Sequence, residues 1–222
     1  MASLAPRKLK IGKIVDKTLG VLEVNAVPAL IFVLVLTAAS VPITYASVGS
    51  TAVLPLLGGQ LLRSAIGVVC GYFLLVAMIR RTGLQSRTED VFFSYLGLMI
   101  LYTLGVTLGF IAIIFPGIFL LLRWSIAQPT LVARGTGIKA ALGESWDRTN
   151  GHEITIFLAA LAMLLLPIAV MIAVGAFFEQ GNLVRMIVSE LAASAISLIF
   201  LSMGVALYGL IVGQESVAST FG

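Results

Sequence analysis

Charge is scarce in this chain. Asp, Glu, Lys and Arg together make up 11% of its 222 residues, where soluble domains carry roughly 25%. A water-soluble enzyme of ordinary type is excluded. Cysteine is limited to Cys70 and histidine to His152. No intrachain disulfide or Cys/His metal cluster can be assembled from them. Cys70, in an apolar stretch, reads as a small packed residue, and His152, beside Glu153, as a surface residue of a loop. The sequence has no His-Glu-x-x-His helix, no pair of membrane aspartates, no Gly-x-Ser-x-Gly elbow and no phosphate-binding loop. It also lacks a carbonyl filter and an acidic proton relay. No basic patch carries interleaved aromatics, so nucleic acid is not an expected partner. These absences predict no enzyme, no cofactor and no metal.

Apolar residues are plentiful: they make up 59% of the chain, and mean hydropathy is +1.10. That is far too apolar for disorder. The apolar runs are long and unbroken, not alternating, which excludes a membrane β-barrel. The expected fold is all-α, a polytopic transmembrane bundle of about six spans. The runs are 26–48, 54–79, 91–115, 117–133, 154–177 and 186–213. The third and fourth are separated only by Phe115-Pro116-Gly117, where a tight hairpin is expected, because Pro cannot continue a helix and Gly permits the reversal. The basic stretch before the first run and that run's length do not fit a cleavable signal peptide. The expected organisation is a tail with an amphipathic helix over 1–25, a membrane domain over 26–213 and a tail over 214–222.

The cations are one-sided. Arg7, Lys8, Lys10, Lys13 and Lys17 precede the first span, Arg80, Arg81 and Arg87 follow the second, and Arg134, Lys139 and Arg148 follow the fourth. The opposite loops hold only Arg185. The positive-inside rule then places both termini in the cytoplasm, and the net charge of +4 adds attraction to anionic headgroups. Residues 9–24 and 135–152 contain amphipathic stretches directly before a span. The first sets Ile11, Ile14, Val15, Thr18, Leu19, Val21 and Leu22 against Lys10, Lys13, Asp16, Lys17 and Glu23. The second sets Ile138, Ala141, Leu142, Ser145, Trp146 and Thr149 against Lys139, Glu144, Asp147 and Arg148, with Glu144 and Arg148 an i,i+4 pair. Both are expected to lie in the interface, with Lys10, Lys13, Lys17, Trp146 and Arg148 as anchors. Curvature sensing or partner docking is the alternative. A shift of 127 residues superposes the two segments and the spans after them, which suggests a diverged internal repeat.

Three ionisable residues fall in spans: Arg63, Arg123 and Glu190. Such residues are costly in hydrocarbon and mark candidate sites. Arg123 lies six residues past the expected hairpin, roughly 9 Å deep at 1.5 Å per residue. Arg63 and Glu190 also fall toward the outer leaflet. Each shares a helical stripe with small or polar residues: Gln60, Arg63, Gly67, Cys70 and Gly71; Arg123, Ala127, Thr130 and Arg134; Glu190, Ser194, Ser197, Gly204 and Tyr208. Gly105 and Gly109 give the third span a similar stripe. Two readings stand. In one, Arg63, Arg123, Glu190, Gln60 and Ser194 line a polar outer chamber, where Glu190 neutralises one arginine and the other holds a phosphate or carboxylate. In the other, an Arg–Glu clamp is structural and the second arginine snorkels. Pro129 and Pro167 are expected to kink their spans; hinges are the alternative.

Phe115-Pro116-Gly117-Ile118, Arg123-Trp124, Pro129, Gly137 with Ala140-Ala141-Leu142, Ser145-Trp146 and Asn150-Gly151 together form a familiar pattern, as does Ile11-Gly12-Lys13-Ile14-Val15-Asp16 before a span. The chain resembles the membrane domain attached to some bacterial glycerophosphoryl diester phosphodiesterases, and the stand-alone YciC-like inner-membrane proteins. Gly135 and Glu144 depart from that pattern. The resemblance implies a six-helix inner-membrane protein without phosphodiesterase activity, which belongs to a separate soluble domain. The expected function is non-enzymatic: lipid or partner binding that supports envelope integrity. The expected partners are membrane lipids, anionic ones among them, and a second copy or another membrane protein. The alternatives are a small transporter or lipid flippase and an accessory subunit of a membrane lipid enzyme.

Overall fold

A computed structural model describes residues 9–49, 51–84, 91–112, 114–179 and 181–212. Arg7, Lys8, Arg87 and the 214–222 tail lie outside the described residues. All the regular structure described is helical: α1 Ile11–Val24, α2 Ala26–Ser47, α3 Val53–Arg81, α4 Phe92–Ala112, α5 Ile114–Arg123, α6 Ala127–Arg134, α7 Ile138–Arg148, α8 Glu153–Phe177 and α9 Leu183–Ile211. Among the described residues, six stretches are long and apolar enough to cross a membrane, namely α2, α3, α4, α5 with α6, α8 and α9. A helix satisfies its backbone hydrogen bonds within its own segment, as hydrocarbon requires. The chain is a multi-pass helical membrane protein, with spans starting and ending within a few residues of the apolar runs.

Two details differ from the sequence expectation. The reversal between the third and fourth spans comes before Pro116-Gly117, since α4 ends at Ala112 and α5 begins at Ile114. Pro116 thus sits in the first turn of α5, where a missing N–H leaves no helical bond unmade. Gly117 serves close packing. A Cβ there would stand 2.5 Å from the Phe110 ring, and one on Gly109 would stand 2.9 Å from the Gly117 Cα. The stripe of small residues on α4 is therefore used within the α4–α5 hairpin, with Trp124 packed on Gly105. The second difference is that the fourth span is not one helix. It breaks at 124–126, and Pro129 accounts for the position: without an N–H, it leaves the carbonyl of Ser125, four residues earlier, without its helical donor. By contrast, α8 runs through Pro167 uninterrupted.

The bundle is knit around α9, which packs on α2, α8 and α1. The amphipathic α1 does not lie free of the bundle. Its Ile14, Thr18 and Val21 are buried against α9 and α8, while Ile11, Leu19 and Val24 remain exposed. The Asn25 side-chain amide donates to the Val21 carbonyl at 2.8 Å, where the chain turns from α1 into α2. Leu75, Met78, Ile79, Tyr95, Leu98, Ile126, Leu131 and Leu207 form the fully buried core at this end of the bundle.

Helix starts follow the 127-residue shift only in part, since α3 and α9 start 130 residues apart. From α1 to α7 and from α2 to α8 the starts are 127 residues apart, and α3 and α9 have 29 residues each. The neighbours are not duplicated: α1 packs on α9 and α8, but α7 packs on α6 and α4.

Candidate functional site

The three ionisable residues of the spans fall into two separate ion pairs. Arg63 on α3 grips Glu190 on α9 with both terminal nitrogens, Nη1 to Oε1 at 2.9 Å and Nη2 to Oε2 at 2.6 Å. The Thr44 hydroxyl of α2 donates to the same Oε1 at 2.9 Å. Glu190 is buried while the Arg63 side chain keeps 35% exposure, as expected of a guanidinium reaching past its helix. Arg63 and Glu190 are 127 residues apart, but α3 and α9 start 130 residues apart, so the two stand three residues out of step within their helices. About one turn along α9, Ser194 pairs with Thr37 of α2 at 3.5 Å, and Gln60 is exposed.

Arg123 is elsewhere. It ends α5 and is buried, with Nη1 donating to the Trp146 carbonyl at 3.0 Å and lying 3.1 Å from the Glu153 carboxylate. Its guanidinium carbon lies 4.6 Å from the centre of the Trp146 ring and 5.4 Å from that of Phe119, close enough for cation–π attraction. The two arginines therefore do not share an outer chamber, and each has its own carboxylate. Depth counted from the hairpin could not reveal this, because α7 and the first turn of α8 reach up to the break in the fourth span. Glu153, noted from sequence only as the neighbour of His152, neutralises Arg123.

The broken span is stitched by α7. The Ser145 hydroxyl donates to the Arg123 carbonyl at 2.8 Å and accepts the Ile126 N–H at 3.3 Å. The Thr149 hydroxyl reaches the same Arg123 carbonyl at 3.1 Å. Beyond the break, Arg134 donates to Tyr208 at 3.2 Å and to Glu144 at 2.8 Å, and Glu144 also holds Arg148 at 2.7 Å. Of the five residues expected as interface anchors, Lys10, Lys13 and Lys17 are exposed, whereas Trp146 and Arg148 are engaged by the protein. Glu144 and Arg148 of the polar face of α7 are taken up by these contacts, while Lys139 and Asp147 on the same face stay exposed.

Beside the break lies a cavity of about 440 Å³ among α2, α3, α4, α5, α6, α8 and α9, within the ~300–1,000 Å³ range of ligand sites. Leu36, Val68, Met99, Leu122, Phe200 and Met203 give it an apolar wall. Its polar side chains are the hydroxyls of Ser64, Tyr95, Tyr102, Thr103, Ser125 and Ser197 and the amide of Gln128; among the described residues no ionisable acid or base other than tyrosine lines it. Ser64, Thr103, Ser197 and Phe200 are exposed, so the cavity opens sideways, on a flank that faces lipid in a membrane. Gly67 lines it with open space around its Cα hydrogens, and Gly204 lets the Ser125 carbonyl approach to 2.9 Å of where a Cβ would stand. Arg63 and Gln60 lie a turn or two outward along the α3 stripe that enters the cavity, and neither lines it.

Sequence reasoning missed Ser125 and Gln128, although Pro129 announced the break that exposes them. Among the described residues no three His, Cys, Asp or Glu side chains converge on a metal-sized space. No protein-family model matches this chain, and neither a curated protein nor a solved structure matches it.

Proposed function

We propose that this protein binds membrane lipid without chemical conversion, in the cytoplasmic membrane of a bacterium with both termini cytoplasmic, and that it serves the upkeep of the envelope. The side-opening apolar cavity beside the broken fourth span carries this reading. A recess of that size, walled by Leu, Phe, Met and Val and open toward the bilayer, suits an acyl chain. Its lining pairs no nucleophile with a base, which favours binding over catalysis. The orientation rests on the one-sided cations, and the bacterial setting on the resemblance of residues 115–152 to YciC-like proteins.

Transport or lipid flipping is the second reading. A discontinuous helix at a mid-bundle cavity, in a chain with two similar three-helix segments, is how many transporters are built. An accessory role beside a lipid enzyme remains the third, and binding of a partner would distinguish it.

Gly67→Leu separates these readings from an empty structural void, because its side chain enters the cavity where a Cβ meets nothing within 4 Å. Native mass spectrometry of the gently extracted protein is expected to find stoichiometric lipid on the wild type and none on Gly67→Leu. Equal lipid retention by both forms would remove the cavity as the site. Reconstituted vesicles with a labelled lipid then distinguish a binder, which leaves leaflet asymmetry intact, from a flippase.

A further inference from the structure

We infer that the cavity recognises the ester carbonyl of a lipid through the Ser125 hydroxyl, with Gln128 beside it. The inference rests on the lipid-binding reading above and specifies which part of the lipid enters.

Hydroxyls in the helices of this protein are generally spent on their own backbone. Ser47, Ser64, Thr130, Ser197 and Ser202 each donate to the carbonyl four residues earlier, at 2.7–3.2 Å. This back-bonding is the ordinary fate of a Ser or Thr without another partner in a helix. Ser125 breaks the pattern. Its Oγ is buried and has no hydrogen-bond partner, and Ser125 lines the cavity where the fourth span is interrupted. A buried hydroxyl without a partner is costly in an apolar surrounding, and a ligand that accepts its proton removes the cost.

Gln128 supplies a second donor. Its side-chain carbonyl takes the Tyr95 hydroxyl at 3.4 Å, which leaves the amide N–H pair for the cavity. Both donors seek an acceptor, and among the described residues the lining has no Asp, Glu, His, Lys or Arg. The nearby Arg63 and Arg123 already hold Glu190 and Glu153. The enclosed part of the ligand is therefore uncharged, rich in hydrocarbon and equipped with an acceptor oxygen. An acyl ester has this chemistry. A dialkyl ether lacks the carbonyl, and a free acid or phosphate would bring an uncompensated charge.

The depth agrees. Phe32 of α2 and Gly204 of α9 border the cavity with Ser125. They lie six and seven residues from the helix ends Ala26 and Ile211, or roughly 9–11 Å at 1.5 Å per residue. An ester at Ser125 would leave its headgroup toward that end of the bundle and its chain along Met99, Leu36 and Phe200.

The test is a native mass-spectrometry titration of delipidated wild-type protein with a diacyl phosphatidylglycerol and with its dialkyl-ether counterpart of equal chain length. The ester form is expected to bind about tenfold more tightly, the discrimination of one or two hydrogen bonds. Ser125→Ala is expected to bind both at the level of the ether form, and Gly67→Leu neither. Equal affinity of wild type for ester and ether, with binding still abolished by Gly67→Leu, would overturn carbonyl recognition and leave the cavity as a lipid site. Binding insensitive to Gly67→Leu would overturn both. The ester–ether comparison on wild type decides carbonyl recognition even if Ser125→Ala fails to fold, and a folded Ser125→Ala that keeps the ester preference would overturn the assignment to Ser125.

Discussion

Ser145 bridges the break in the fourth span from both sides, and its loss should cost more than that of its neighbour Thr149. Ser145 is fully buried; it donates to the Arg123 carbonyl and accepts the Ile126 N–H. In Ser145→Ala the Arg123 carbonyl falls back on Thr149, but the Ile126 N–H is left bare in an apolar surrounding. An orphaned buried donor costs ~1–3 kcal/mol, so about 2 kcal/mol of destabilisation is expected. Thr149 has one proton, shared between the Arg123 and Ser145 carbonyls. With Ser145 intact, Thr149→Val strands little and should cost about 0.5–1 kcal/mol. The double variant strands both Arg123 O and Ile126 N–H and should cost about 4 kcal/mol, more than the singles combined, because each hydroxyl covers for the other at one acceptor. Equilibrium unfolding in mixed micelles measures these values. Trp124 lies within the break and Trp146 stacks on Arg123, so intrinsic fluorescence follows this region directly. Equal single effects that add in the double variant would refute the stitching argument.

Three further outcomes follow from the same geometry. Arg63→Met should destabilise by about 3 kcal/mol, because it strands the buried Glu190 carboxylate, and Glu190→Met by less, because the Arg63 side chain keeps 35% exposure and can stay hydrated, with the double variant close to wild type; a double-mutant cycle in micelles reads this, and a double variant as unstable as Arg63→Met would contradict it. Gly109→Ala places a methyl 2.9 Å from the Gly117 backbone and should loosen the α4–α5 hairpin by about 1–3 kcal/mol, seen as faster amide exchange in α5, whereas Gly20→Ala, with nothing within 4 Å, should be neutral or stabilising by up to ~1 kcal/mol. Trp146→Leu removes the ring over Arg123 but keeps the carbonyl that accepts its Nη1, so a loss of about 0.5–2 kcal/mol is expected in the same unfolding assay, with lipid occupancy of the cavity unchanged.

What the sequence made legible was whatever hydrophobic length and periodicity determine. Six apolar runs became six spans because hydrocarbon admits few backbone solutions, and the two amphipathic stretches became α1 and α7. Position along a span was legible; the neighbour across from it was not. Arg63 and Glu190 were grouped correctly because α3 and α9 pack together, and Arg123 was grouped wrongly because its depth along the fourth span says nothing of the α7 and α8 residues beside it. The apolar stripe of α7 was read as facing lipid, yet Ser145 and Thr149 within it are hydroxyls four residues apart, suited to an open backbone. Their use required knowing that the span breaks, and Pro129 was read as a kink, with a hinge as the alternative.

The two arginines within the spans illustrate why an ionisable residue there identifies a constraint before it identifies a function. A lone guanidinium would be a natural anion site, and sequence alone left one arginine over. Adding Glu153 closes the account: Arg63 meets Glu190, Arg123 meets Glu153, and each pair is neutral as a unit. A neutral pair clamps helices, α3 to α9 and α5 to the start of α8, and both clamps lie around the cavity without entering it. What is left for a ligand is then polar but uncharged, the hydroxyl of Ser125 and the amide of Gln128 in a wall of hydrocarbon. If one arginine nevertheless holds an anion, freeing it should strengthen that binding. Glu153→Gln should then raise affinity for a soluble anion such as inorganic phosphate, whereas in a clamp it lowers stability by about 3 kcal/mol and creates no phosphate site.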